Sequence, residues 1–178
     1  VVVGVVDSGA DVTHPDLYLN IWINPGEIPP DLRGQLADTD GDGRITFYDL
    51  NDPANGRWVT DANENGYIDA QDLLSDSRWA DRIDTDGNRY EDDLCGWNFR
   101  KARDDPFAPN DPRDAEGHGT HVAGTIAAIG NNGLGVAGIN WRSSVMVLRF
   151  LDDANRGLTS DAIEAINYAT RMRKEYGV

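Results

Sequence analysis

The stretch that decides the fold is "VVVGVVDSG" (Val1–Gly9). Six apolar, mostly β-branched residues run without a polar break and stop at Asp-Ser-Gly. A run with no wet face suits a strand buried on both sides, as in a parallel sheet. A second such run, "SVMVLRFL", lies at 144–151. Between them, "GTHVAGTIAAIG" (119–130) is rich in Ala, and Val122, Thr125, Ile126 and Ile129 recur at helical spacing, predicting one inward helix face. Towards the end Ser160 is placed to cap a helix whose apolar side holds Ala162, Ile163, Ile166 and Ala169. Asp161 and Glu164 come early in it and Arg171, Arg173 and Lys174 late, the order a helix dipole favours. Alternating strand and helix predict an α/β fold with a mostly parallel sheet.

With 178 residues and 39% hydrophobic content, the chain can build a core. Its formal charge of −15 argues against nucleic-acid binding, which needs a basic face, and suits a cation. No apolar run approaches the ~18 residues of a membrane helix, and no leader segment is recognisable. The single cysteine, Cys95, cannot form an internal disulfide and reads as a small buried apolar residue. Both ends read as cut. The opening falls inside an apolar run, and "RMRKEYGV" stops where a helix has finished. The expectation is one partial domain, 1–178, from a longer chain.

Residues 24–96 break the α/β rhythm. They are rich in Asp, Asn, Gly and Pro, and such a length of loop needs something to order it. Between Asp31 and Asp93 stand 17 acidic and 6 basic residues. The acids are periodic: "DTDGDGRITFYDL", "DANENGYIDAQDL" and "DTDGNRYEDDL" start at Asp38, Asp61 and Asp84, 23 residues apart each time. Ca²⁺ collects six to eight oxygens, and a loop with ligands at positions 1, 3, 5, 7, 9 and 12 and Gly at 6 supplies them. The first repeat offers Asp38, Asp40, Asp42, Arg44 (carbonyl), Thr46 and Asp49. The second offers Asp61, Asn63, Asn65, Tyr67 (carbonyl), Asp69 and Asp72. The third offers Asp84, Asp86, Asn88 and Tyr90 (carbonyl), closed by Asp92 or Asp93, with Arg89 where Gly is usual. Ile45 and Ile68, at position 8, are apolar as loop pairing requires. Position 12 is Asp rather than Glu, and the flanks are too short for full helices. The repeats resemble helix-poor EF-hand-like or dockerin-like loops, which makes 24–96 a calcium-binding insert. Asx-turns without metal are the plain alternative.

Two segments outside the insert carry chemistry. Asp7 ends the first strand, where α/β proteins place their sites, and Gly9 permits a sharp turn. His118 sits between Gly117 and Gly119 at a helix start. Together they suggest a base oriented by a carboxylate: Asp holds one ring nitrogen while the other takes a proton from a nucleophile. His118 and His121 form an i, i+3 pair, but no third nitrogen or sulfur ligand accompanies them, so zinc is not expected. Ser8 reads as turn chemistry.

"VVVGVVDSGADVTHPDL" and "GHGTHVAGTIAA", in that order, closely resemble the Asp and His motifs of the subtilisin-like serine proteases. "MVLRFLD" and "SDAIEAINYA" are similar to that family's next strand and helix, and "DRIDTDGNRYEDDLCGWNF" resembles a calcium-type loop of many bacterial members. The resemblance implies a subtilisin-like three-layer fold, incomplete at its C-terminus, in a secreted, monomeric, calcium-dependent endopeptidase acting on peptides. It implies that Asp7 and His118 are catalytic. It also implies a calcium site of Asp16, Asn132 (or Asn131) and the carbonyls of Ile129, Leu134 and Val136, and a cleft rim at 151–160. The family's nucleophile motif, Gly-Thr-Ser-x-Ala-x-Pro, and its oxyanion Asn are absent. Ser143, Ser144 and Ser160 lack the glycine context to replace that Ser, so 178 residues alone should not cleave peptides. The rival readings are a calcium-binding or adhesion module and an inactive protease homologue.

Overall fold

The computed structural model describes residues 1–100 and 105–177. Its strands are β1 (Val2–Asp7), β2 (Gly96–Asn98) and β3 (Ser144–Arg149). Its α-helices are α1 (Pro30–Arg33), α2 (Phe47–Leu50), α3 (Ala70–Ser75), α4 (His118–Ala127) and α5 (Thr159–Tyr176).

The sheet is parallel with order β1-β3-β2. Asp7 and Asn98 both lie opposite Arg149, so the C-terminal ends of all three strands meet along one edge. Residues 145–149 of β3 are all buried. In β1 only Val5 is, and Val1 is 90% exposed. Burial on both faces, expected of the first apolar run, therefore belongs to β3, because only β3 has a strand on each side among the described residues.

Successive β-strand side chains point to opposite faces. Val145 and Val147 join Val5, Ala123 and Ala127 in one cluster, under α4, whereas Met146 and Leu148 join Ala165, Tyr168 and Met172 in another, under α5. The result is helix, sheet, helix: three layers.

Both long helices turn a different side inward from the one the apolar spacing predicts. In α4 the buried positions are Gly119, Ala123, Gly124 and Ala127; Val122 and Ile126 are half-buried, Thr125 is exposed, and Ile129 lies past the helix end. Small residues win because α4 lies close against β1. In α5 the inward side is Asp161, Ala165, Tyr168 and Met172, while Ile163 and Ile166 are 54% and 56% exposed. Tyr168 sets that rotation through a buried polar anchor described below. The N-cap is Leu158, so Ser160 lies in the first turn and bonds Asp161 rather than capping the helix.

Residues 24–96 carry only short helices, yet they are not a detachable lobe. Phe47, Leu50, Leu73, Trp79 and Leu94 pack in the same cluster as Val5, Ala123 and Val145. The first two loops are not joined through Ile45 and Ile68 by a β-bridge among the described residues. The Asn51 side chain does that work, accepting from Ile68 N–H and donating to Ile68 C=O, each at 2.8 Å. Among the described residues no helix is long and apolar enough to cross a membrane.

Candidate active site

Asp7 is delivered by the last position of β1 and His118 by the first of α4. Although 111 residues separate them, His118 Nδ1 lies 2.7 Å from Asp7 Oδ1. Two glycines make the approach possible. Gly9 adopts φ +107°, a conformation that L side chains rarely take, and any Cβ on Gly119 would collide with the Gly9 carbonyl oxygen.

Ser8 locks the approach. Its hydroxyl accepts from Gly119 N–H at 2.9 Å and donates to Asp114 Oδ1 at 3.0 Å, and its own N–H donates to Asp7 Oδ1 at 2.7 Å. Buried and fully engaged, it is turn chemistry rather than a nucleophile. Asp114 also receives the N–H and hydroxyl of Thr120, at 2.9 and 2.7 Å. Burial alone would raise its pKa, but the donors of Gly117, Thr120 and Glu116 outweigh burial and hold it below the usual carboxylate range.

The His118 side chain is 56% exposed and that of Asp7 14%. The hydrogen bond to Asp7, and then its charge, raise the His118 pKa above the ordinary imidazole value. Among the described residues nothing bonds Nε2. One ring nitrogen is thus oriented by a carboxylate and the other is open, the geometry that general-base chemistry requires. Ser143 bonds Asn140 and Ser160 bonds Asp161, so neither serves His118.

The proposed metal ligands fall into four groups. Asp16 is buried; its carboxylate receives Asn132 Nδ2 at 2.7 Å and Val136 N–H at 3.0 Å, and its carbonyl receives Ile129 N–H at 2.9 Å. The 129–136 turn, including Leu134, whose N–H bonds Asn132, thus folds onto Asp16.

In the first repeat Asp38, Asp40 and Asp42 present oxygens within 4.8 Å of one another, all exposed. Arg44 N–H bonds Asp42. Asp49 is not in that trio. It is buried, with one oxygen on Thr39 and the other on Thr46. Burial opposes its charge, but those donors prevail and lower its pKa.

In the second repeat Asp61 receives the N–H groups of Asn65 and Gly66, and Asp69 receives the Asn63 and Asn65 amides. Asp72 receives the N–H groups of Ala62, Asn63 and Asp69. The Tyr67 hydroxyl reaches Thr13 O at 2.7 Å, and its ring stacks on Tyr18. That contact fastens the loop to the segment bearing Asp16.

The third repeat departs furthest from the loop pattern, yet Asp92 and Asp93 in it are buried. Arg89 takes φ 78° where Gly is usual. Asn88 and Arg89 N–H groups bond Asp84, Tyr90 N–H bonds Asn88 Oδ1, and the Asn88 amide bonds Asp93. Asp86 and Asp93 gather with Glu27, their oxygens within 4.8 Å of one another. Asp92 instead turns to Arg82 N–H. Burial, followed for Glu27 by the nearby Asp charges, pushes Glu27 up to about 8; burial chiefly pushes Asp93 up to about 7. Three carboxylates this close offer the oxygens that a hard cation takes, and the raised values of Glu27 and Asp93 are what burial without such a charge produces. Asn24 Nδ2 reaches Asp93 at 2.7 Å, and the hydroxyls of Tyr168 and Tyr176 reach Asp93 and Asp86 at 2.5 and 2.8 Å. Glu27 and Asn24 lie 57 or more positions before Asp84 (Asp84 minus Glu27) and outside any repeat, so spacing held no signal for them. Cys95 is buried and its thiol is pushed up by that burial, so it is inert.

The Asp7–His118 pair lies at the carboxyl edge of a parallel sheet, where α/β proteins place their sites. The sequence profile of the subtilase family matches residues 1–175. The chain is 29% identical over 169 residues to subtilisin-like protease 1 of Plasmodium berghei (strain Anka), covering 95% of this chain and 19% of that protein. It is 40% identical over 65 residues to thermitase of Thermoactinomyces vulgaris, covering 35% and 23% respectively. It is 46% identical over 59 residues to a thermophilic serine proteinase of Bacillus sp. (strain AK1), covering 33% and 15%. The chain belongs to the subtilase family. It spans less than a fifth of the length of the first relatives it matches, at 19% and 17%.

Proposed function

We propose that this chain supplies two members of the Asp-His-Ser triad of a serine endopeptidase, with Asp7 and His118 in those roles. The carrying observation is the 2.7 Å contact between His118 Nδ1 and Asp7 Oδ1, with Nε2 left open. In the full-length enzyme a serine outside this chain attacks the peptide carbonyl. His118 accepts its proton at Nε2 and returns it to the leaving amine, while Asp7 fixes the tautomer and stabilises the imidazolium. The substrate is an extended peptide laid along the 151–160 segment.

The test is kinetic, on the full-length protein with a peptide substrate. His118→Ala should lower kcat by about 10⁶-fold and Asp7→Asn by about 10⁴-fold, the sizes found for the subtilisin triad and its relatives. Wild-type turnover unaffected by His118→Ala would sink the assignment. No turnover at all, in a protein that still binds peptide, would make it an inactive homologue.

Calcium is the second part of the proposal. Asp16 with the 129–136 loop, and the three repeats with Glu27 added to the third, are its holders. At the third repeat Glu27, Asp86 and Asp93 would hold the Ca²⁺, whose charge would favour the ionised forms of Glu27 and Asp93. Millimolar Ca²⁺ outside cells suits sites of modest affinity, so secretion is part of the same reading.

A further inference from the structure

Behind Asp7 stands a buried cation that neither the triad nor the calcium sites employ. Arg149 ends β3 directly opposite Asp7, and its side chain is 1% exposed. Its Nη1 lies 2.8 and 2.7 Å from the two oxygens of Asp105, whose side chain is 5% exposed. Its Nε donates to the Ser8 carbonyl at 3.2 Å. The guanidinium carbon sits 5.0 Å from the centre of the Phe107 ring.

The Ser8 peptide is where the catalytic pair is set. Its N–H and hydroxyl hold Asp7 and α4, as described above. The Asp7 carbonyl is held by Phe150 N–H at 2.9 Å and Leu151 N–H at 3.3 Å. The next carbonyl, that of Ser8, is held by a side chain, Arg149. A planar guanidinium can serve Asp105 and Ser8 at once because its donors point in fixed, divergent directions; an ammonium offers no such fork.

We infer that Arg149, braced by Asp105, is a positioning residue for the catalytic Asp, fixing the Asp7–Ser8 turn so that Asp7 Oδ1 meets His118. The inference rests on the proposed triad. A misplacement of the order of 1 Å in such a pair costs up to about 100-fold in rate.

The experiment uses the full-length protein with Arg149→Met and Arg149→Lys, kcat being referred to folded protein well below the melting temperature. The His118 pKa is followed by NMR alongside. We expect kcat to fall about 10- to 100-fold for Met and less for Lys, with KM little changed and the His118 pKa lowered in both as its contact with Asp7 loosens. If Met does not fold, Lys alone decides. Variants with wild-type kcat and His118 pKa, and only a lower melting temperature, would make Arg149 purely structural and overturn the inference. An inactive wild type would instead defeat the triad reading, while the His118 titration would still decide the role of Arg149.

Discussion

At the residue scale, the proposed chemistry rests on one hydrogen bond, and its titration is predictable. Asp7 raises the His118 pKa, so the folded state favours the imidazolium. Its contribution to stability is complete below the unfolded value of about 6.5 and is lost as pH rises through the folded pKa. The base, by contrast, must be neutral, so activity should rise with pH through that same folded pKa. Asp7→Asn should shift the acidic limb of kcat/KM to lower pH as well as depress its plateau; an unmoved limb would separate His118 from Asp7. Gly119→Ala is predicted to be severe for its size. Its methyl meets the Gly9 carbonyl, so α4 must back away from β1. We expect a loss of about 1–3 kcal/mol in urea unfolding and about 100-fold in kcat. The sharp turn at Gly9 and the room left by Gly119 were legible in "DSG" and "GHGTH", but that the two glycines face each other was not, since that shows only once both segments are placed.

At the element scale, the acidic insert is where electrostatics and folding meet. Without a cation the folded protein keeps protons on Glu27 and Asp93 to about 8 and 7, whereas ordinary values are 4.5 and 3.8. The native state then binds more protons than the unfolded chain between roughly pH 4 and 8, so these groups make stability fall as pH rises through that window. The predicted outcome in calorimetry is a melting temperature in EGTA that drops from pH 5 to pH 8, with Ca²⁺ raising it most at pH 8. Equal gains from Ca²⁺ at both pH values would contradict this. The three repeats could be seen in the sequence because their 23-residue period is local. The trio at the third repeat could not, because Glu27 arrives from outside the period. The helix faces were misjudged for a related reason. Spacing locates an apolar side, but α5 is rotated by Tyr168 reaching Asp93, and α4 turns its smallest residues to β1.

At the scale of the whole molecule, α5 on one face of the sheet is tied to the insert through Tyr168–Asp93 and Tyr176–Asp86. Chelating the proposed calcium should therefore loosen more than the insert. Hydrogen exchange after chelation is expected to accelerate in 84–93 and in α5 together, and protection lost in the loops alone would refute the link. Tyr168→Phe removes one tie and leaves its buried carboxylate short of a donor, at a cost of about 1–3 kcal/mol in unfolding free energy. The sequence by itself determined the α/β class, the periodic acidic loops and the two motifs bearing Asp7 and His118, since each is written within a few tens of contiguous residues. Tertiary structure alone decided that β3 is the buried strand, that Glu27 joins the third loop and that Arg149 stands behind Asp7. Those facts depend on which distant segments share a neighbour, and burial and charge act through space rather than along the chain.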